Sequence, residues 1–141
     1  MAGTVVADNI QAASTSTLVL KNGVASTPPT IQDSAGTQIG TFCRAWVNFN
    51  GTSTVSIRAS FNVTSITDNG TGDYTVNFTT AMSDANYCYE LSGQRVAAAS
   101  NYNAVVSSIQ TPSTTALRVA TSNDVSNALE DFSAVCVAIF R

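Results

Sequence analysis

The sequence contains no histidine and few charged residues, and both shortages limit the chemistry that it can perform. Without histidine it cannot form a Ser-His-Asp arrangement, a Cys-His dyad or an imidazole site for a transition metal. Charged residues make up 11% of the chain, against about 25% in ordinary soluble domains. We therefore expect a non-enzymatic protein with no cofactor and no metal site, whose surface is kept wet by Ser, Thr and Asn.

Two classes of partner are disfavoured by the charge and hydropathy patterns. Six basic residues stand against nine acidic ones, without any basic run, so the sequence lacks the footprint of a nucleic-acid-binding protein. The apolar run from Val135 to Phe140 is far shorter than the roughly 18 residues of a spanning helix. Asp8 interrupts the position where a signal peptide would be apolar. We expect neither a membrane anchor nor a secretory leader.

The three cysteines, Cys43, Cys88 and Cys136, are odd in number and widely spaced. Such spacing predicts neither a disulfide framework nor a zinc site. Since each lies among apolar residues, we interpret them as buried free thiols that stay reduced in a bacterial cytoplasm. An intersubunit disulfide is the alternative interpretation.

The first forty residues differ in character from the rest of the chain. They contain small polar residues and a Pro28-Pro29 pair, and cannot bury enough apolar surface to fold alone. Short apolar patches nevertheless interrupt them, which favours an extended N-terminal arm over residues 1–40 that docks on, or is exchanged with, a neighbouring subunit. These patches contain Val5, Val6, Leu18, Val19, Leu20 and Ile31.

From Phe42 onward, apolar residues alternate with period two, which is typical of half-buried strands. The stretch CRAWVNF is followed by Asn50-Gly51, a dipeptide that supplies positive φ angles to tight hairpin turns. Alternation then resumes from Val55 to Val63. This pattern predicts a hairpin with strands over 43–49 and 55–63.

A second hairpin follows, because the turn sequence DNGTGD separates Ile66 from the alternating Tyr74, Val76 and Phe78. Four further strands are predicted over 87–91, 104–109, 117–120 and 133–140. The last is apolar on both faces, which indicates an interior position in its sheet. Residues 41–141 should therefore form one all-β domain, an antiparallel β-sandwich or jelly roll of about eight strands.

The chain also shows a weak internal similarity. Four apolar residues of the second hairpin align at one constant offset with four residues nearer the C-terminus. The aligned pairs are Val63 and Val106, Ile66 and Ile109, Tyr74 and Leu117, and Val76 and Val119. A duplication and two merely similar hairpins both explain this pattern.

Two groups of acidic residues are candidates for chemistry. Asp68 with Asp73, and Glu130 with Asp131, are the only close carboxylate pairs that could serve a general acid and base. The loop from Asp68 to Asp73 also offers oxygen ligands around glycines, as a calcium loop does. It lacks the closing glutamate of an EF-hand, so we interpret it as an ordinary turn.

The first hairpin carries the only tryptophan of the chain together with two of its arginines. Alternation places Arg44 and Trp46 on one face, and Arg58 joins them if the hairpin pairs as predicted. Aromatic residues and arginine are enriched at the centres of protein interfaces. We expect a subunit interface there, with an intradomain cover and a ligand-binding platform as alternatives.

The stretch from Cys43 to Tyr89 resembles a segment found in structural proteins of tailed bacteriophages. The segment has the pattern RAWVNFNGTGT, followed by IRAS.NV.SITDNGTGDY.VNFTTAM.DANY. It is matched by Arg44 to Thr54, by Ile57 to Ser60 with Asn62 and Val63, and by Ser65 to Tyr87. Residues AGTVVADNIQAAS and IQDSAGTQIG resemble the leader that often precedes it.

The resemblance implies a virion structural protein, of a group usually described as tail fibre or minor structural proteins and commonly trimeric. An arm followed by one sandwich suits a capsid decoration, or cement, protein that binds the major capsid protein on the outer surface of the particle. The alternative is a trimeric short tail-fibre subunit, which would contact tail or baseplate proteins and a host surface glycan. A separate carbohydrate-binding module or an enzyme is a more distant alternative.

Overall fold

A computed structural model describes residues 31–95, 104–108, 110–123, 126 and 128–141 of the chain. Its described part is all-β, and a single core lies between two four-stranded antiparallel sheets. The predicted β-sandwich is thereby confirmed. The strands are β1 (Ile31–Gln32), β2 (Gln38–Gly40), β3 (Cys43–Asn50), β4 (Ser56–Phe61), β5 (Val63–Gly70), β6 (Asp73–Phe78), β7 (Cys88–Arg95), β8 (Ala104–Ser108), β9 (Ala116–Asn123) and β10 (Phe132–Phe140).

The two sheets have the orders β4-β3-β10-β7, called the front sheet here, and β5-β6-β9-β8, called the back sheet. In each sheet the central pair joins the first half of the chain to the second, as β3 with β10 and β6 with β9. Strand β10 is interior, as its two apolar faces predicted. Because both central pairs join distant parts of the chain, the sandwich closes only when both halves are present.

The core is built from the inward residues of the four central strands. Phe49 of β3 meets Tyr74 of β6 edge to face, with ring centroids 5.2 Å apart. Such a pair contributes about 0.5–1.5 kcal/mol beyond the area that it buries. Other buried members of the same cluster are Ala45, Val47, Val76, Leu117, Val119, Val135, Val137 and Ile139.

The turn between β3 and β4 differs from its prediction. Positive φ occurs at Ser53, at 56°, and Gly51 is not among the residues with positive φ. Gly51 is needed for another reason, since a Cβ there would lie 2.5 Å from the Tyr74 hydroxyl oxygen. The phage segment has glycine at the position of Ser53, where the left-handed conformation costs glycine little.

The second predicted strand of the first hairpin is in fact two strands. The chain leaves the front sheet after Phe61, turns at Asn62 with φ 55°, and enters the back sheet at Val63. The Asn62 side chain stabilises this crossing, because its amide group bonds the carbonyl groups of Arg44 and Thr80 at 3.1 Å each. Continuous alternation therefore concealed a change of sheet.

The internal similarity has a structural counterpart in the back sheet. Hairpins β5-β6 and β8-β9 lie side by side, and β6 pairs with β9 so that Tyr74 faces Val119 and Val76 faces Leu117. The aligned residues Tyr74, Val76, Leu117 and Val119 thus pair crosswise, as a local two-fold axis requires, and Ile109 lies outside the described residues. This symmetry is compatible with both a duplication and similar hairpins.

Residues 31–40, which we predicted to be the end of the arm, form the small β1-β2 hairpin. The remainder of the predicted arm, with Val5, Val6, Leu18, Val19 and Leu20, lies outside the described residues. The extended arm and its docking role therefore stay predictions.

Candidate interface on the outer face of the front sheet

The candidate site is the outer face of the front sheet, where register brings together residues from all four strands. Phe61, Trp46, Ala138 and Glu90 lie in one row across β4, β3, β10 and β7. A second row contains Ala59, Asn48, Cys136 and Ser92. We call these two rows the Trp46 face.

Both aromatic residues of the Trp46 face are open to solvent. Trp46 is 40% exposed and Phe61 is 54% exposed. They are neighbours in register, so their exposed surfaces form one patch rather than two isolated residues. Contiguous exposed apolar surface on a soluble protein marks a contact site more often than scattered apolar residues do.

A shallow groove of about 370 Å³ runs along the middle of this face. Its floor is made by the small residues Cys136 and Ala138 of β10, and Trp46 forms one wall. Glu90 and Ser92 of β7 line the opposite side. The groove is thus apolar at its centre and polar at one rim, which is the composition of a protein interface.

The outer face of the back sheet differs over strands β5 and β6, where polar side chains bond one another. The amide group of Asn77 donates to Ser65 Oγ at 3.1 Å and to Thr67 Oγ1 at 2.9 Å. Asn69 donates to Thr75 Oγ1 at 2.9 Å. These polar side chains are satisfied in water, so the part of the outer face on β5 and β6 has less need of a partner than the Trp46 face.

The predicted interface residues Arg44, Trp46 and Ile31 lie in two different parts of the fold. Trp46 lies on the Trp46 face, and Arg44 lies two residues earlier on β3 beside the bulge opposite Phe140. Ile31 lies in β1, where it pairs with Gly40. Arg44 and Trp46 thus remain interface candidates on one strand, and Ile31 belongs to a separate hairpin.

Arg58 has a definite role within the domain. Its guanidinium crosses β3 and donates to the carbonyl oxygen of Ser133 on β10 at 2.5 Å. It also donates to Asn48 Oδ1 at 3.2 Å and to the Phe49 carbonyl at 3.3 Å. These bonds tie edge strand β4 to the interior of the sheet, which is the intradomain cover considered among the alternatives for this residue.

Phe61 is the residue that sequence reasoning missed. Period-two alternation grouped it with Ile57 on one side of a strand, whereas register pairs Ile57 with buried Phe49 and Phe61 with exposed Trp46. The register of β4 shifts between these pairs, where Arg58 is the extra residue. A one-residue bulge moves every following side chain to the opposite face. Asn62, a residue that tolerates positive φ, signals only the crossing to the back sheet that follows the strand, and not the bulge itself.

The cysteines are free, as predicted, but they are not buried. Cys88 is exposed, and Cys43 and Cys136 are half-buried. Cys43 and Cys88 both pair in register with Phe140, on either side of β10. The expectation of burial failed because these thiols occupy positions on the solvent side of strands whose other face forms the core.

The candidate carboxylates all have structural partners. Asp73 receives two bonds from the Arg118 guanidinium, one of them at 2.8 Å from Nε, and this pairing lowers the pKa of Asp73. Glu130 pairs with Arg95 in the same two-bond manner. Asp68 accepts a bond from the Gly70 amide at 3.0 Å. The loop from 68 to 73 is thus built as a turn.

Within the described part of the chain, no group of three or more His, Cys, Asp or Glu residues is placed to hold a metal ion. No helix in that part is long and apolar enough to cross a membrane. Comparison of the chain with protein-family models, curated proteins and solved structures gives no match. The function is therefore inferred from the geometry of the Trp46 face and from the resemblance to the phage segment.

Proposed function

We propose that this protein is a non-enzymatic structural protein of a tailed-bacteriophage virion, and that it is a capsid decoration protein. It is made in the host bacterial cytoplasm and binds the outer shell as a trimer. Its partner is the major capsid protein, whose contacts with its neighbours it reinforces. The stretch RAWVNFNGT and the SITDNGTGDYTVNFTTAM stretch support the virion assignment by resemblance.

The observation that carries this proposal is the difference between the Trp46 face and the polar outer face of β5 and β6. Ser65, Thr67 and Asn77 satisfy one another on the back sheet. Trp46 and Phe61 on the front sheet expose aromatic surface beside a groove. Covering that surface contributes about 25 cal/mol for each Å² removed from water. A protein that works by contact area needs one such face and one that stays in water.

The mechanism requires no bond chemistry. Aromatic residues at the centre of a face exclude water and carry much of the binding energy, while the polar rim fixes the register of the partners. A trimer multiplies the contacts of one subunit with the shell, and simultaneous attachment raises the overall affinity without any new contact. Shell reinforcement follows because each decoration trimer holds neighbouring capsid subunits together.

A second candidate function, a trimeric short tail-fibre subunit that recognises a host surface glycan, is favoured by one feature of the same groove. Trp46 offers a flat apolar face, and Asn48, Glu90 and Ser92 place polar groups near it. A ring with polar groups at its edge is an arrangement that can hold a sugar. In that case the partners would be tail or baseplate proteins and the glycan.

Copy number in purified virions separates the two functions. A shell-wide decoration protein should approach the major capsid protein in abundance on a stained gel, and a fibre subunit should be present in far fewer copies. Abundance close to that of minor tail proteins would contradict the decoration function. Strong and specific binding on a glycan array would support the fibre function instead.

Deletion of residues 1–40 tests the docking role of the predicted arm. We expect the truncated protein to retain the β-rich circular dichroism spectrum of the sandwich and to lose binding to phage particles. Unchanged particle binding by the folded truncated protein would refute a role for these residues in docking.

A further inference from the structure

The β1-β2 hairpin has a turn that is ordered by its own hydrogen bonds. One carboxylate oxygen of Asp33 accepts bonds from the backbone amides of Ala35 and Thr37, each at 2.9 Å. The Asp33 amide in turn donates to the Thr37 carbonyl at 2.9 Å. Gly36 adopts φ 82°, a conformation that suits glycine at a tight turn. These bonds give the hairpin a defined conformation.

This hairpin stands clear of the sandwich to which it belongs. Residues 31 to 39 are all exposed, with Ile31 at 43% and Ile39 at 65%. The two strands pack mainly against each other and make few contacts with either sheet. A two-stranded hairpin alone is marginally stable in water. Packing of Ile31 and Ile39 against another surface would therefore stabilise this hairpin.

The root of the hairpin is fixed to the end of the front sheet. Thr41 and Phe42 connect β2 to β3, and Thr41 Oγ1 donates to the Arg141 carbonyl at 2.9 Å, just beyond the end of β10. With its root held there, the hairpin leaves the groove of its own chain open, since no residue from 31 to 42 lines that groove. Over the described residues, each copy therefore presents a hairpin with two exposed isoleucines and an open groove with an apolar floor.

We infer that the β1-β2 hairpin of one copy packs Ile39, with Ile31 beside it, into the Trp46 groove of a neighbouring copy. This inference deepens the proposed function and rests on its homo-oligomer. Phe61 of the Trp46 face does not line the groove, so it remains open for the shell when the groove is filled. The groove has the volume of about a dozen water molecules and a floor of small residues, so it has room for aliphatic side chains. A contact between the hairpin of one copy and the groove of the next joins two different surfaces. Repeated contacts of this kind close a ring when the rotation between copies permits it. A trimer is one such ring.

The natural thiol on the groove floor allows a direct test by cross-linking. In the full chain, Cys43→Ser and Cys88→Ser leave Cys136 as the only natural cysteine, and Ile39→Cys adds a thiol to the hairpin. Diamide oxidises a pair of neighbouring thiols to a disulfide and is itself reduced to the hydrazine. We expect covalent dimers and trimers on a non-reducing gel, and a cross-linked peptide that joins position 39 to Cys136.

Two outcomes of this experiment would overturn the inference. One is the same set of covalent species when Cys136→Ser is added as the matched control. The other is a link between position 39 and Cys136 within one chain, which mass spectrometry of mixed isotope-labelled and unlabelled protein distinguishes from a link between chains. Both positions are away from the core, so circular dichroism should show folded protein in every variant.

A second variant tests the same contact without a covalent bond. Ile39→Asp should weaken self-association at least tenfold in sedimentation, whereas Ser34→Asp in the turn of the same hairpin should leave it unchanged. Equal self-association of the Ile39→Asp variant and the natural chain would contradict the inference. Particle binding by the natural chain is measured separately, so a protein that binds virions without this contact refutes the inference alone. A protein that makes the contact but ignores virions refutes the proposed function alone.

Discussion

The hydroxyl of Tyr74 lies 2.8 Å from Oδ1 of Asp131 and 2.9 Å from the carbonyl oxygen of Gly51. The same Asp131 oxygen accepts a bond of 2.7 Å from the Gly72 amide. Tyr74 is fully buried, and burial raises the pKa of its phenol, so the hydroxyl keeps its proton. Tyr74 and Asp131 thus together hold three connections at one end of the sandwich, at Gly51, Gly72 and Asp131 itself.

Replacing Tyr74 by Phe should lower the free energy of unfolding by about 1–3 kcal/mol, because the change removes the one proton that the hydroxyl donates to Asp131 Oδ1 or to the Gly51 carbonyl. Urea denaturation measures this free energy. Its dependence on urea concentration should stay unchanged, because the surface exposed on unfolding is the same. Tyr89→Phe is the matched control, because no hydrogen bond of the Tyr89 hydroxyl occurs among the described residues. Equal stability of the Tyr74 variant and the natural chain would show that the hydroxyl contributes nothing.

In the described part of the chain, two non-glycine residues have positive φ, and they should respond in opposite ways to replacement by glycine. Ser53→Gly removes the strain of a left-handed side chain in the β3-β4 turn, and we expect stability to rise by about 0.5–1 kcal/mol. Asn62→Gly relieves backbone strain as well, but it removes the side-chain bonds to the carbonyl oxygens of Arg44 and Thr80 and to the Thr80 amide.

We therefore expect Asn62→Gly to lower stability by about 1–3 kcal/mol. Thermal melting of both variants beside the natural chain gives the comparison. A shift of the same sign in both would mean that backbone strain, and not side-chain bonding, decides the conformation at the crossing between sheets.

The Asp73 and Arg118 pair predicts a specific response to acid. The Arg118 hydrogen bonds lower the pKa of Asp73 in the folded protein, so the unfolded chain binds a proton more readily. Stabilisation by this pair is therefore present above the ordinary carboxyl pKa of about 3.9 and is lost as the pH falls through the lower folded value. Arg118→Gln should make the fall in stability below about pH 4 less steep.

Denaturation midpoints measured from pH 7 down to pH 2 test this prediction. The natural chain and the Arg118→Gln variant should differ most near neutral pH and converge in acid. Two curves that run parallel over the whole range would contradict a role for the pair in acid sensitivity.

Strand positions were accessible to sequence reasoning because burial on one side imposes period two on each strand. The alternation in CRAWVNF correctly separates buried Ala45, Val47 and Phe49 from outward Trp46. The two apolar faces of β10 likewise identified an interior strand. These patterns depend only on local geometry, and for that reason a single sequence reveals them.

The candidate face was only partly accessible, because it depends on register between distant strands. Trp46 could be predicted to point outward, but its neighbour Phe61 was hidden by the bulge at Arg58. Cys136 and Ala138 join the face only through the pairing of β10 with β3, a contact between opposite ends of the domain. The role of Gly51 was also inaccessible, since it depends on Tyr74 approaching from the other sheet.

The most direct test of the account measures binding of full-length variants to phage particles that lack this protein. Phe61→Asp places a charge on the Trp46 face, and Thr67→Asp places the same charge on the polar outer face of the back sheet; both positions are exposed. We predict that Phe61→Asp weakens particle binding at least tenfold, which corresponds to about 1.4 kcal/mol, while Thr67→Asp leaves it within twofold of the natural chain. Equal binding by the folded Phe61→Asp variant, or a larger loss at Thr67, would contradict the claim that Phe61 on the Trp46 face contacts the shell.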